Sequence, residues 1–594
     1  MAPLKVGIVG AGIGGLSAAI ALRRAGADVE VFEKSTFKNE AGAAITITPN
    51  GARILESWGL DAAPSSSSSP PASPPEASRL YASAKARAVE AAYVILMPAQ
   101  TLRPSVVHFV STLRAQFGAP MRFYHRADLH AALRIMATAP ASGFAQEGQE
   151  IAADDTVLRF GTRVVDLDCE EGVVKLEDGK TVQKDLLVVA DGIQSSFIKE
   201  VTENRTRLKD TGWTAYRFLI PMASVLADPD VAAVYGAEEC NDEGQDQNQS
   251  PKAGYSVAFD LPKAFYVVAY PCRANEVLNV VVRHSHRAAD GHRNRNIILD
   301  RNKKWSSSSS SDEDKDQWEE DEKEDDGDDP DKHVWNAHET PKKDVLKLVA
   351  PYHPALCKLV LMADDIRAFR MRRREPLERY HKGRAVLLGD AAGAVWPTHA
   401  QGSVLAIEEA AALEVLFAGI TDPSLVPSRL KLYTSVLKRH IHLNQHLSEA
   451  APGATADWPR RKAEQLWNLL GGAYDTSTDD HGCGFETDEN NDAAALTCEH
   501  ERKLFSHRAY NFSPEVRRFF YAFDVRAEVR RALEGMPARG TGGGDTDDTP
   551  VSGEGNLEPR EKEKGKNKGD EVERGALYRF WLEVRGKKSQ EHGT

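Results

Sequence analysis

Cysteine is scarce. Only six occur in 594 residues, and none of Cys169, Cys240, Cys272, Cys357, Cys483 and Cys498 forms a CxxC pair. Neither a disulfide framework nor a dithiol redox centre is indicated, so a reducing compartment, the cytoplasm, is the expectation. Long apolar runs are missing as well: nothing approaches the ~18–20 residues a transmembrane helix needs. Val6 to Leu22 is uncharged and follows Lys5, but Gly7, Gly10, Gly12, Gly14 and Gly15 interrupt it too often for the apolar helix of a leader. A soluble protein is expected. Positive charge is in deficit, with 75 Lys and Arg against 88 Asp and Glu and a net charge of -13. Nucleic acid and anionic membranes need a basic footprint, so neither is an expected partner. Metal-ligand spacing is also lacking. His442 and His446 share a helix face, yet Leu443 stands where HExxH has its glutamate. The quartet His481-x-Cys483 and Cys498-x-His500 matches no standard zinc finger, and no metal is expected.

The acidity is local. Asp312 to Asp331 carries 14 acidic residues and two lysines, which leaves a charge of only -1 for the rest of the chain. This run belongs to a polar insert, 285–341, that also holds six consecutive serines. Pro64 to Ser78 is a Ser/Pro linker, 238–252 has no large apolar residue, and 537–575 is Gly-rich and then Lys/Glu-rich. Such compositions lack the apolar surface that offsets ordering entropy, so all four are expected to be disordered.

What remains has a readable order. Leu4 to Val9 is a short apolar strand, Ile13 to Ala25 an Ala/Leu-rich helix and Val29 to Phe32 a second strand, together a βαβ start. From Val157 to Ala190 the pattern changes to period two, with an Asp178-Gly179 turn, and predicts a meander feeding one buried strand. Tyr255 to Tyr270 and Glu276 to Arg283 predict antiparallel strands of a second domain. Ala385 to Leu388 reads as a buried strand followed by a helix over Ser403–Phe417, and the C-terminal third as mostly helical.

Three motifs carry the chemistry. Gly10-x-Gly12-x-x-Gly15 sits between strand and helix, where Gly10 permits the turn, Gly12 lets a pyrophosphate approach the backbone and Gly15 lets helix meet strand. Glu33 closes the second strand, where a carboxylate accepts hydrogen bonds from ribose hydroxyls. Asp191-Gly192 follows the strand LLVVA, and Gly389-Asp390-Ala391-Ala392 follows AVLL, leading to Pro397 and Ala400-Gln401-Gly402-Ser403. Each places a carboxylate at the C-terminal end of a buried strand, where ligands of open α/β sheets bind. No second strand–GxGxxG–helix unit is present, which disfavours a dedicated nicotinamide domain.

These motifs resemble those of the single-component FAD-dependent aromatic hydroxylases, the p-hydroxybenzoate and salicylate hydroxylase type. The resemblance extends through Phe117–Leu133, Thr214–Pro221, Val267–Arg273 and Arg373–Gly393, and it covers most of residues 4–450 outside the inserts. It implies an α/β fold with a Rossmann-like FAD-binding domain, an interleaved β-sheet substrate domain and a C-terminal helical region. The boundaries are then 1–210 and 373–450 for FAD, 211–372 for substrate, 451–536 for the helical region and 537–594 for a largely disordered tail. The same resemblance implies that Arg126 contacts the FAD linker, that Asp390 binds the ribityl hydroxyls and that Ala44 touches the cofactor. Gln401, Gly402 and Ser403 would aim a helix N-terminus at the flavin N1–C2=O edge. It further implies that NAD(P)H, as a transient co-substrate, reduces the flavin and that O2 adds at C4a. The resulting hydroperoxide then hydroxylates a phenolic or other electron-rich small molecule.

On the substrate side, Arg217 and Tyr270 fall where related hydroxylases keep an Arg/Tyr pair that holds a phenolate; the alternative is a structural arginine and a packed tyrosine. His399 precedes the Gln401 turn and reads as packed or solvated rather than reactive. Three positions depart from the family pattern: Gly393 replaces its usual histidine, Val404 its asparagine and Ile198 its arginine. Two other readings therefore stand beside the hydroxylase, namely an epoxidase or decarboxylating hydroxylase on the same scaffold, and a non-catalytic FAD-binding protein.

Overall fold

Nineteen strands form three sheets among the described residues. The computed structural model describes residues 2–36, 43–61, 83, 86–139, 157–203, 206, 208–236, 253–260, 263–285, 338–449 and 514–535. All belong to one unit, Met1–Met536; the second unit, Pro537–Thr594, lies outside them. The Ser/Pro linker, the polar stretch 238–252, the acidic run 312–331, the His481/Cys483/Cys498/His500 quartet and the tail also lie outside the described residues.

In chain order the strands are β1 (Lys5–Val9), β2 (Asp28–Phe32), β3 (Ala44–Ile47), β4 (Val89–Pro98), β5 (Val106–Phe109) and β6 (Arg122–His125). Next come β7 (Leu158–Arg159), β8 (Val164–Asp168), β9 (Val173–Leu176), β10 (Thr181–Gln183) and β11 (Leu186–Val189). The remainder are β12 (Lys209–Pro221), β13 (Ala253–Asp260), β14 (Phe265–Cys272), β15 (Val277–Ser285), β16 (His338–Glu339), β17 (Arg367–Arg373), β18 (His381–Lys382) and β19 (Ala385–Leu387).

The first sheet runs β18-β19-β11-β1-β2-β7, and its four central strands are parallel. Parallel strands covered on both faces need apolar residues at every position rather than alternation. LLVV of β11 and AVL of β19 meet that demand and are buried throughout. The helix Ile13–Arg24 covers one face, and its small residues let the helix Gly402–Phe417 pack closely against it. That second helix is apolar nearly all round because it also meets the helices Pro49–Trp58 and Val525–Glu534. Strands β8 to β10 form the small antiparallel meander that period two predicts.

The second sheet runs β16-β17-β12-β15-β14-β13-β4-β6-β3, with β5 paired to β4. Here the structure differs from the linear domain boundaries. Strands β3 to β6 lie within 1–210, yet they extend the substrate sheet, because β4 pairs in parallel with β13 and β6 pairs with β3 and β4. The β4–β13 pairing joins residues more than 150 positions apart and leaves no local signature. Described parts of the C-terminal region are helical, at Val426–Glu449, Pro514–Tyr521 and Val525–Glu534. Arg53 clasps the last two to the body, its Nη1 donating to the carbonyls of Phe117 (2.5 Å) and Tyr521 (2.6 Å) and its Nη2 to that of Phe523 (2.9 Å). No helix among the described residues is long and apolar enough to cross a membrane.

Leu187 sits fully buried in the middle of β11. Leu187→Ala should lower the unfolding free energy by about 2–5 kcal/mol through lost burial and a residual cavity. Leu226, 55% exposed, is the control: Leu226→Ala should change it by less than about 0.5 kcal/mol in the same denaturant titration.

Candidate active site

Register brings the motifs together. Val9 of β1 stands opposite Phe32 of β2 on one side and Val189 of β11 on the other, and Val189 in turn faces Leu387 of β19. Gly10, Glu33, Asp191 and Gly389-Asp390 each lie within three residues beyond these four level strand ends. They therefore share one edge of the sheet, across three strand spacings or about 14 Å. Segments near residues 12, 190 and 390 line one cleft, and Glu33 lies at the same sheet edge outside that lining.

Gly10 adopts φ +98°, a left-handed conformation that a side chain would strain. A Cβ at Gly15 would overlap the carbonyl oxygen of Gly10, so helix and turn are in closest approach there. A Cβ at Gly12, by contrast, would meet nothing within 4 Å, and Gly12 lines the cleft. Space at that point and exposed amides at the start of Ile13–Arg24 suit a pyrophosphate. Glu33 Oε2 accepts from the Ala11 N–H (2.7 Å) and Oε1 from the Ser35 N–H (2.7 Å), which locks the carboxylate against the glycine turn. These residues fit the ADP half of FAD.

Farther along the edge, a cleft of about 460 Å³ is lined by Gly12, Ala44, Arg126, Gly192, Gly389, Asp390, Gly402 and Ser403 among others. Asp390 is open to this cleft but closely surrounded by protein. Desolvation raises its carboxyl above the ordinary range, while the charge of Arg126 pulls the other way. Asp191 is likewise raised by burial, partly offset by a hydrogen bond from Ser195, and its Oδ1 has no partner. Arg126 opens the helix Arg126–Thr138. That helix is held by the fork of Arg273 Nε and Nη2 on the Asp128 carboxylate (2.7 and 2.8 Å), which joins it to the end of β14.

Gln401 differs from Gly402 and Ser403. Its side chain turns away from the cleft: Nε2 donates to Thr48 Oγ1 (3.0 Å) and the His399 carbonyl (3.1 Å), and Oε1 accepts from Asn50 Nδ2 (3.1 Å). Asn50 Nδ2 also donates to Glu408 (2.9 Å), which bonds His440 (3.0 Å). This buried network anchors the helix start whose free amides face the cleft. The departures at 393, 404 and 198 have packing explanations. A Cβ at Gly393 would overlap Ile441, Val404 fills the space over Gly51, and Ile198 is buried in the main core.

The opposite wall is one face of the second sheet. Directly paired residues project to the same side, so Val257, Val268, Val281 and Arg217 form one row across β13, β14, β15 and β12. The next row contains Tyr266 and Arg283, and Tyr270 belongs to the row on the other side. All seven line the cleft. Arg217 has its Nε unpartnered and its guanidinium 5.3 Å from the Phe369 ring; burial lowers its pKa, with the nearby Tyr270 opposing. Tyr270 stacks on Tyr255 (5.2 Å) and bonds Thr46, and burial pushes its phenol up to about 12. The sequence reading passed over Tyr255, Tyr266, Thr46 and Arg283. The two-residue period counted outward from Tyr270 and Arg217 would have found the three on β13, β14 and β15. His399 is buried, bonds the Leu447 carbonyl through Nε2 (3.1 Å) and packs 5.2 Å from Phe520. His442 bonds the Leu377 carbonyl (2.9 Å).

Two outcomes follow from this geometry. Gly15→Ala should force helix and turn apart and cut FAD retention at least about tenfold, read as the ratio of flavin to protein absorbance after gel filtration. Burial lowers His399 to about 4, below the ~6.5 of an unfolded histidine. Its contribution, on the order of 3 kcal/mol, is present above pH ~6.5 and lost as pH falls toward 4. His399→Gln, which keeps a donor, should flatten the decline of stability between those pH values in denaturant titrations.

Comparison with known proteins bears on the family. A model for NAD(P)-binding Rossmann-like domains matches residues 8–72, and one for FAD-binding domains matches residues 330–447. The chain is 30% identical over 450 residues to the FAD-dependent monooxygenase cfoG of Aspergillus candidus, covering 75% of this chain and 84% of that one. It is 26% identical over 437 residues to hispidin-3-hydroxylase of Neonothopanus nambi, covering 73% and 85%. A solved salicylate hydroxylase in complex with substrate has the same fold, with a TM-score of 0.55, 18% identity and coverage of 90% and 99%. A relative this similar over most of both lengths leads to one conclusion: the chain belongs to the FAD-dependent monooxygenases.

Proposed function

We propose that this enzyme uses NAD(P)H and O2 to hydroxylate a phenolic or other electron-rich small molecule. The observation that carries the reading is the Arg217/Tyr270 pair on the sheet wall of the cleft that Gly389, Asp390, Gly402 and Ser403 line from the other side. Bound FAD supplies the redox chemistry: two electrons from NAD(P)H reduce O2, one oxygen atom enters the substrate and the other leaves as water. The protein's part is binding, orientation and charge. Amides around Gly12 and the Arg126 guanidinium bind the pyrophosphate, Glu33 the adenosine ribose and Asp390 the ribityl hydroxyls. Amides of Gly402 and Ser403 stabilise negative charge on the ring edge they face.

Arg217 pairs with the phenolate oxygen of the substrate, which makes the ring more nucleophilic. Tyr270, a protonated phenol whose pKa burial moves still farther above neutrality, donates a hydrogen bond to the same oxygen. The valine row that runs from Arg217 across β15, β14 and β13 gives the ring an apolar floor and keeps water away from it. In this reading 1–210 and 373–450 hold FAD, and 211–372 present the substrate together with strands β3 to β6. Helices within 451–536 brace the tyrosine end, where Phe117 packs on Tyr521.

The purified protein should be yellow, and a panel of phenols should contain members that accelerate NAD(P)H oxidation and yield products heavier by one oxygen. Asp390→Ala should lower FAD retention. Arg217→Met should spare FAD and reduce kcat/KM for hydroxylation about 10- to 100-fold, the worth of one charge-assisted hydrogen bond. Unchanged hydroxylation kinetics in Arg217→Met would remove that residue from the mechanism, and FAD binding without any stimulated turnover would favour a non-catalytic flavoprotein.

A further inference from the structure

The glycine turn has an attachment that its own motif does not supply. Gly10 donates its N–H to the Phe32 carbonyl (2.8 Å), and Ala11 donates its own to Glu33 Oε2 (2.7 Å). The Ala11 carbonyl is held as well, by Nε2 of His130 at 2.7 Å, from a residue 119 positions later. A carbonyl oxygen only accepts, so Nε2 carries the proton in this contact. Ala11 and His130 are both buried.

His130 stands on the helix Arg126–Thr138, four residues after Arg126. Side chains at that spacing share one helix face. Arg126 lines the cleft, and His130, one turn farther along, meets the glycine turn. Leu129, Ala132 and Leu133 fix the same helix in the main core, and the Arg273 fork on Asp128 fixes its first turn. The donor is therefore carried by a rigid element and not by a loop.

Peptide geometry determines what this contact governs. The Ala11 carbonyl and the Gly12 N–H belong to one planar trans unit and point in opposite directions. A bond that fixes the carbonyl thus fixes the direction of the N–H. Among the described residues no protein acceptor takes the Gly12 N–H. Gly12 lines the cleft, and a Cβ there would meet nothing within 4 Å. Two successive N–H groups of the turn are used by the protein, and the third is left over and held from behind. A hydrogen bond at the carbonyl also polarises the unit and makes its N–H a stronger donor. Without that bond the Ala11 carbonyl is buried unpaired, and the peptide plane beside a glycine is free to turn.

We propose that His130 is a positioning residue for the FAD pyrophosphate: by holding the Ala11 carbonyl it aims the Gly12 N–H at a phosphate oxygen. The inference goes beyond the hydroxylase reading. It rests on FAD as the cofactor and stands whatever the substrate.

The test uses the FAD-loaded protein and two variants. His130→Phe keeps a flat buried ring and removes the donor, whereas His130→Gln offers an amide donor near the place of the imidazole Nε2. Release of FAD is read as the rise of flavin fluorescence after dilution, and the pyrophosphate is observed directly by phosphorus NMR. His130→Phe should release FAD at least about tenfold faster, the worth of one hydrogen bond, and shift a pyrophosphate resonance. The visible spectrum of the bound flavin, which reports on the ring and not on the phosphates, should stay that of the wild type. His130→Gln should bring release to within about threefold of the wild type and return the resonance to its place. Wild-type release in His130→Phe, a visible spectrum altered along with the phosphorus signal, or a glutamine variant no nearer the wild type than His130→Phe would overturn the assignment. Should His130→Phe fail to fold, His130→Gln decides: release within that threefold limit with an unmoved resonance supports the role of His130, and faster release ends it.

Discussion

The parallel ladder β2-β1-β11-β19 is the constraint on which the site depends. Backbone hydrogen bonds fix Val9 level with Phe32 and Val189, and Val189 level with Leu387. Every ligand-facing residue on this side is then placed by how few positions separate it from its strand end. Neither the glycine turn nor Asp390 could act alone. A phosphate loop without Glu33 beside it or Asp390 across from it would hold one end of a dinucleotide and leave the reactive ring unpositioned. Burial on both faces makes a slip in register expensive, so the geometry is held by the core rather than by loops.

The opposing wall obeys a different rule. Alternation along β12 to β15 puts Arg217, Val281, Arg283, Val268, Tyr266 and Tyr270 on one side, while the other side packs on the apolar cluster around Val280 and Val282. A few specific bonds tie this wall to the nucleotide part. Arg273 grips Asp128 on the helix that begins with Arg126, and within the sheet itself Asn279 Oδ1 of β15 accepts from the Ala44 N–H of β3 (3.1 Å). The buried chain from Gln401 through Asn50 and Glu408 to His440 steadies the third side of the cleft. Polar groups of this kind cost free energy to bury unless fully partnered, and here they set orientation.

The nucleotide half was legible because its signals are short and local: glycines in a turn, a carboxylate at a strand end and an apolar run before each. Gly10, Gly12, Gly15, Glu33, Asp191 and Asp390 could each be found within a few residues of a recognisable strand. Strands β3 to β6 were not assigned to the second sheet, since nothing near Val94 announces its partner Tyr255 far along the chain. The side-chain contacts of Gln401 were not legible from position. It stands at a helix start, and its side chain is captured by Thr48 and Asn50, some 350 residues earlier. Arg283 was read only as the end of a strand. The rings it packs on, Trp213 and Trp396, stand one on a neighbouring strand and the other in a short connection after β19.

Gly393 has a bearing on how this sequence is able to change. The helix Val426–Glu449 lies so close that Ile441 takes the volume a side chain at 393 would need, with Gln445 next to it. Reinstating the imidazole of the related hydroxylases would require trimming Ile441 in the same step. A side chain at 393 is thus admitted only together with a smaller residue at 441, whereas a smaller residue at 441 by itself opens a cavity and meets no clash.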